Sequence, residues 1–342
     1  MPDEFWFWRE LKRAARDKKL GGMVDAHNHP FTEDTSTKDQ YYRTASLPLE
    51  PGKWREVDEM RPELIYTFRD RLRSSILRRI KQGFRASRSY VDISPSVWLD
   101  ALNIALEAKR EFWEKYGFYL QIAAYAVEGC DTLKKRELLT EACRIPEVEA
   151  IGCVPSRGRG NVLDIRTSSQ NMCYYFFVAH RYGKILDMQI DQKNHLDERE
   201  TLKLVEIAKS FRSSRYDRPI GATHCLSMAA WEDDKLIDYV LAEMRDLGIT
   251  MIVCPRATLN NKQDRSVMSR THNSIAPWDL AMKTGVNVAL GTDNVSDIYM
   301  SSSDGDIWKE VDVLLNTVRY DGDISVIADI LTINGQKALG LR

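Results

Sequence analysis

The chain has 342 residues, 43% of them hydrophobic and 29% charged, a balance that supports a sizeable buried core and excludes a disordered chain. Lys and Arg (49) nearly cancel Asp and Glu (50), so no global field draws the protein to nucleic acid or to an anionic membrane. No run approaches the roughly 18 apolar residues that suggest a membrane span, and acids precede a very short aromatic run at the N-terminus; the expected location is the cytoplasm.

Residues 4–20 place Phe5, Trp8, Leu11, Ala14 and Ala15 at helical spacing with Lys and Arg between them, predicting an amphipathic helix that Gly21 and Gly22 end. Short apolar runs then recur at 23–24, 90–93, 119–124, 150–154, 185–190, 220–223, 250–254 and 286–290, eight predicted strands. The interval 30–88 is too long for one crossover helix. It is predicted to hold a loop with Pro48, Pro51 and Gly52, then a long helix over 62–84. Arg61, Arg69, Arg71, Arg73, Arg78, Arg79, Lys81, Arg85 and Arg88 make that region basic. It reads as a solvated face or a contact within a homo-oligomer, with a site for an anionic partner as the alternative.

Helical periodicity returns at 96–113, 198–211, 233–247 and 277–283. Strand and helix alternate, which calls for a parallel sheet with right-handed crossovers. Eight such units, with no G-x-G-x-x-G after the first strand, predict an α/β chain of the (β/α)8 TIM barrel type over 23–342, preceded by an N-terminal helical segment over 1–22. The six cysteines form no CxxC pair and read as reduced thiols; Cys225, beside a histidine of interest, reads as structural.

Active sites of such barrels lie where strands run into the following loops. His27 and His29 end the first strand two residues apart, which aims both imidazoles into one space where a single divalent ion can take both. His224 ends the sixth strand and Asp293 the eighth. Together they suit an ion that activates water with a carboxylate beside it. Taken alone, Asp293 could equally cap a helix, and His180, His195 and His272 read as structural.

The HxH, the segment Thr223-His224-Cys225-Leu226-Ser227 and the segment Gly291-Thr292-Asp293-Asn294-Val295 resemble the cytosine deaminase branch of the amidohydrolase superfamily. Residues 88–93, 121–125 and 286–294 resemble its second, third and eighth strands, and the likeness extends over roughly 23–341. The resemblance implies that His27, His29 and Asp293 hold a catalytic metal, zinc or iron, that His224 orients and polarises the attacking hydroxide, and that Asp293 also serves as a base. It further implies a His-x-Asp-Glu end to the fifth strand. Here Gln189 stands at the metal-ligand position and Gln192 at the proton-shuttle position. A glutamine carbonyl is a weaker, neutral donor than imidazole, and Gln192 cannot carry a proton near neutral pH.

His224 or Asp191 could complete the ligand set. Relatives commonly carry a small β-sandwich companion domain; none is expected here, so the barrel base must close another way. Arg157 and Arg159 after the fourth strand and Arg256 after the seventh could clamp an anionic group, and Gln192 and Asn294 are further substrate-binding candidates. The expected activity is hydrolysis of a non-peptide C–N bond of a small polar, anionic compound. A lyase or isomerase step on the same barrel and a metal-free binding protein are the alternatives.

Overall fold

The computed structural model describes residues 5–44, 47, 49–157, 165–259 and 275–342. Eight parallel strands follow one another around a barrel: β1 (Met23–Asn28), β2 (Phe84–Ile93), β3 (Tyr119–Ala126), β4 (Ala150–Cys153), β5 (Ile185–Ile190), β6 (Ile220–His224), β7 (Ile249–Val253) and β8 (Val288–Leu290). The (β/α)8 reading thus holds, with each of the eight apolar runs overlapping a strand. Such strands are buried on both faces. In β3, Leu120, Ile122, Ala124 and Ala126 join the core shared with the helices, while Ala123 and Tyr125 pack in a separate cluster with Tyr90.

The helices are α1 (Trp6–Ala15), α2 (Lys38–Thr44), α3 (Trp54–Gln82), α4 (Asp100–Tyr116), α5 (Leu133–Arg144), α6 (Ile165–Tyr182), α7 (Glu200–Ser213), α8 (Asp234–Asp246), α9 (Pro255–Leu259), α10 (Trp278–Thr284), α11 (Ile307–Val318), α12 (Ile324–Leu331) and α13 (Ile333–Ala338). None of the described helices is long and apolar enough to cross a membrane.

The helix expected over 4–20 spans only Trp6–Ala15 and that over 96–113 spans Asp100–Tyr116. Two further boundaries differ for identifiable reasons. The long helix begins at Trp54 and carries Pro62 inside it, and it stops at Gln82 because Gly83 turns left-handed (φ 99°). Residues 84–89, given partly to the helix by the sequence, instead lengthen β2. The helix expected from 198 begins at Glu200. Asp191 caps it by accepting from the backbone N–H groups of Glu200 (2.8 Å) and Thr201 (3.1 Å), while Glu200 accepts in return from the Asp191 N–H (3.1 Å).

The basic character of α3 is answered internally. Arg69 and Arg73 pair with Glu107 and Glu111 on α4, Arg78 with Glu33 and Asp34, and buried Arg61 with Asp58 and Asp92. Arg71 donates to the backbone carbonyls of Phe31 and Leu64. These internal pairings weigh against a site for an anionic partner.

The lower end of the barrel is closed by α13. Ala338 and Leu339 pack on Val24, Ala86, Ile252 and Ala289. Gln121 donates to the Leu339 carbonyl (2.7 Å) and Arg88 to that of Ala338. Gly335 is required there, because a Cβ would lie 2.7 Å from Val24 Cβ.

Behind the end of β5 sits a buried acid cluster. Burial and the neighbouring Asp191 and Glu200 push the Glu198 carboxyl up to about 8, and burial with Asp191 pushes Glu200 up to about 7, from an ordinary 4.5. A carboxyl whose folded pKa is raised contributes stability that is present at low pH and lost as pH rises toward that value. Glu198→Gln keeps an acceptor for the Lys193 N–H (2.9 Å) and removes the ionisation. Its Tm relative to the parent is therefore expected to rise between about pH 5 and pH 8.5; an offset that is the same at both pH values would contradict this.

Candidate metal centre

At the upper end of the barrel, β1 departs from strict alternation. Val24 and Ala26 pack in the lower cluster, yet His27 and His29 both contact Tyr90 above it. A register shift against β2 between Asp25 and Asn28 accommodates the change. Gly291 permits the close approach of β8, since a Cβ there would come within 2.7 Å of His27 Cβ. His224 and Asp293 leave their strands with positive φ (78° and 56°), a conformation that non-glycine residues adopt rarely and that concentrates at functional sites.

These turns bring four of the expected residues together. The Nε2 atoms of His27 and His29 are 3.1 Å apart, and Asp293 Oδ1 lies 3.8 Å and 3.5 Å from them. On the other side, Asp293 Oδ2 lies 3.7 Å from His224 Nε2. Two nitrogens bound to one ion at about 2.0–2.1 Å stand roughly 3.0–3.4 Å apart, so the histidine spacing fits a shared ligand. Asp293 Oδ1, which faces both imidazoles, is buried without a hydrogen-bond partner among the described residues. Native proteins rarely leave a buried carboxylate oxygen unanswered, and an ion is one answer. His27, His224 and Asp293 likewise present three ligand atoms that all lie within 4.8 Å of one another.

The electrostatics agree with this donor set. Burial, reinforced by the adjacent His27, pulls His224 down to about 3, and the same causes hold His29 well below 6.5. Both are neutral nitrogen donors at physiological pH. Burial lifts Asp293 to about 6 even though His27 pulls it down.

Gln189 ends β5 inside this group, with Oε1 3.4 Å from His224 Nε2. The half-buried Gln192 turns back toward β5, its amide 3.5 Å from the Gln189 carbonyl. Asp191, considered above as a further ligand, does not fill that role. Its carboxylate is turned to the N-terminus of α7, where both oxygens accept backbone hydrogen bonds.

The expected substrate residues are also engaged. Arg157 pairs with Asp58 and lies over the Trp54 ring at 4.3 Å. Arg256 donates to Asp304 (3.1 Å) and to the Ser302 carbonyl (3.1 Å). Asn294 donates to Thr32 Oγ1 (3.2 Å) and to Asp297. Neither arginine stands as a free anion clamp. Arg159 and His272 lie outside the described residues. His180 is exposed on α6, and His195 accepts from the Asp197 N–H (3.1 Å). Cys225 is a buried thiol pushed well up by burial, in keeping with a structural role.

Three residues at the centre were not singled out from the sequence. The Tyr90 ring lies 4.3 Å from that of His27, and its hydroxyl donates to the Asp187 carbonyl (2.9 Å). Gly152 makes room for it, because a Cβ would stand 2.4 Å from the ring. Tyr125 faces His29 at 5.3 Å between centroids. Asp187, two residues before Gln189, accepts from Arg88 (2.8 Å) and Thr223 (2.8 Å) and lies 4.0 Å from His27 Nδ1. Burial alone would raise its pKa; Arg88 and His27 together outweigh this and hold the carboxylate well below its ordinary range. The signal was the inward alternation of β2, β3 and β5, which places these side chains in the lumen.

No protein-family model matches the sequence, and no curated protein matches it. Solved structures do. The 5-methylcytosine deaminase from Klebsiella pneumoniae liganded with 5-fluorocytosine superposes with a TM-score of 0.79 at 22% identity, over 93% of this chain and 74% of that one. N-isopropylammelide isopropylaminohydrolase from Burkholderia multivorans gives 0.70 at 15% identity, over 94% and 76%. Triazine hydrolase from Arthobacter aurescens gives 0.58 at 12% identity, over 93% and 70%. The resemblance to the cytosine deaminase branch is therefore borne out as a shared fold.

Proposed function

We propose that the protein is a metal-dependent amidohydrolase-type enzyme that hydrolyses an exocyclic or ring C–N bond of a small, neutral, polar heterocycle. The observation that carries this reading is the convergence of His27, His29, His224 and the orphaned Asp293 oxygen at one strand-end site. His27, His29 and Asp293 would hold one divalent ion, zinc or iron, with Gln189 or His224 completing the set. When bound, the ion supplies Lewis acidity toward water and the scissile carbon.

The remaining chemistry belongs to the chain. Asp293 is the group able to take a proton from water, since its Oδ1 faces His27 and His29 while its Oδ2 is turned to His224 Nε2 at 3.7 Å. His224, neutral and 3.7 Å from Asp293 Oδ2, orients the nucleophile and the developing oxyanion. Gln192 contributes a neutral amide and no proton. The leaving nitrogen must then receive its proton from Asp293 or depart without assistance, which favours an activated substrate. Tyr90 and Tyr125 form an aromatic wall that suits a planar ring and excludes water. The pairing of Arg157 and Arg256 is the reason for preferring a neutral substrate to an anionic one.

Turnover of amino- and alkylamino-substituted pyrimidines and triazines in ¹⁸O-labelled water tests the reaction class. The expected result is release of ammonia or amine with one labelled oxygen in the product. An unlabelled product would instead place the activity among lyases or isomerases.

A further inference from the structure

The sheet is hydrogen-bonded continuously from β1 to β8, but its first and last strands meet through one bridge, between Asn28 and Asp293. The candidate metal centre is assembled across this seam, with His27 and His29 on one side and Asp293 on the other. Elsewhere the backbone ladder fixes strand separation; at the seam little of it remains.

A buried carboxylate supplies what the ladder lacks. Asp25 Oδ1 accepts from the Thr292 N–H (3.0 Å), and Oδ2 accepts from Thr292 Oγ1 (2.8 Å), Arg79 Nε (2.6 Å) and Asn28 Nδ2 (3.2 Å). Arg79 also donates to Thr292 Oγ1 (3.0 Å), so the three side chains close a ring of hydrogen bonds. Asp25 precedes His27 by two residues and Thr292 precedes Asp293 by one, which places the clamp directly beneath both halves of the site. Arg79 is itself fixed on α3 by the Ser75 carbonyl (3.2 Å) and by Glu33 (3.3 Å), and Glu33 follows the HxH by four residues. All three clamp residues are buried.

We propose that Asp25, held by Arg79 and Thr292, is a positioning residue that sets the separation of the His27–His29 pair from Asp293 across the barrel seam. The inference rests on the metal-binding reading above. Side chains that orient ligands from behind typically change metal affinity about 10–100-fold when removed.

Cobalt(II) serves as the probe, read by its visible d–d absorption and by competition with a chelator, with circular dichroism and thermal unfolding on the same samples. Asp25→Asn and Thr292→Val are each expected to weaken cobalt binding about tenfold or more and to shift the d–d bands, while Thr292→Ser retains both parental values. Folded variants with a lowered Tm but parental cobalt affinity and spectrum would reduce Asp25 to a structural role and overturn the proposal. Should Asp25→Asn fail to fold, the Thr292 pair decides the question alone. If the parent protein itself takes up no cobalt, the metal reading fails and the positioning role falls with it. Parental binding in the variants overturns the positioning role only.

Discussion

Asp293→Asn is expected to lower kcat/KM by roughly 10³- to 10⁴-fold on any substrate that the parent protein turns over, while the barrel remains folded. Two effects combine. Asparagine offers a neutral oxygen where a charged ligand faces His27 and His29 at 3.8 Å and 3.5 Å, and it removes the base that faces His224. The pH profile makes the claim specific. Burial raises the metal-free Asp293 carboxyl to about 6, so metal uptake should strengthen as pH rises through that value, and in Asp293→Asn this dependence disappears. A variant that keeps more than about a tenth of parental kcat/KM, or the same pH dependence of metal uptake near pH 6, would remove Asp293 from the site.

The second large effect concerns β5. Gln189→His is expected to raise zinc affinity about 10- to 100-fold, because imidazole replaces an amide carbonyl as donor at a position already 3.4 Å from His224. Adding Gln192→Glu supplies a titratable carboxyl, and the double variant should gain about 10²- to 10⁴-fold in turnover of substrates whose leaving nitrogen needs a proton. Chelator competition reads the first effect and amine release the second. Unchanged zinc affinity in Gln189→His would show that β5 lies outside the coordination shell. An affinity gain without a rate gain would place proton transfer elsewhere.

The barrel was legible because parallel strands buried on both faces leave continuous apolar runs, and residues 185–190 read as a strand with the same bounds as β5. The boundaries of α3 and α7 were less so. The start of α7 depends on the reciprocal cap between Asp191 and Glu200, which follows from the fold of the loop between them. The same holds within the site. His27, His29, His224 and Asp293 stand at strand ends and could be found by position, and the structure gathers them. What the surrounding charges do depends on contacts across the chain. Arg157 looks like an anion clamp until Asp58, 99 residues away, is seen to accept from it. Asp25 looks like an ordinary residue of the first strand until Thr292, 267 residues later, closes on it. Asp191 looks like a ligand by spacing, yet a helix N-terminus claims both its oxygens.

The most direct test of the account is the metal content of the purified protein, measured by elemental analysis before and after reconstitution with zinc(II) and iron(II). About one equivalent per chain is expected, lost in a His27→Ala, His29→Ala protein that remains folded. Less than about a tenth of an equivalent in the reconstituted parent, or full retention in the double variant, would contradict it.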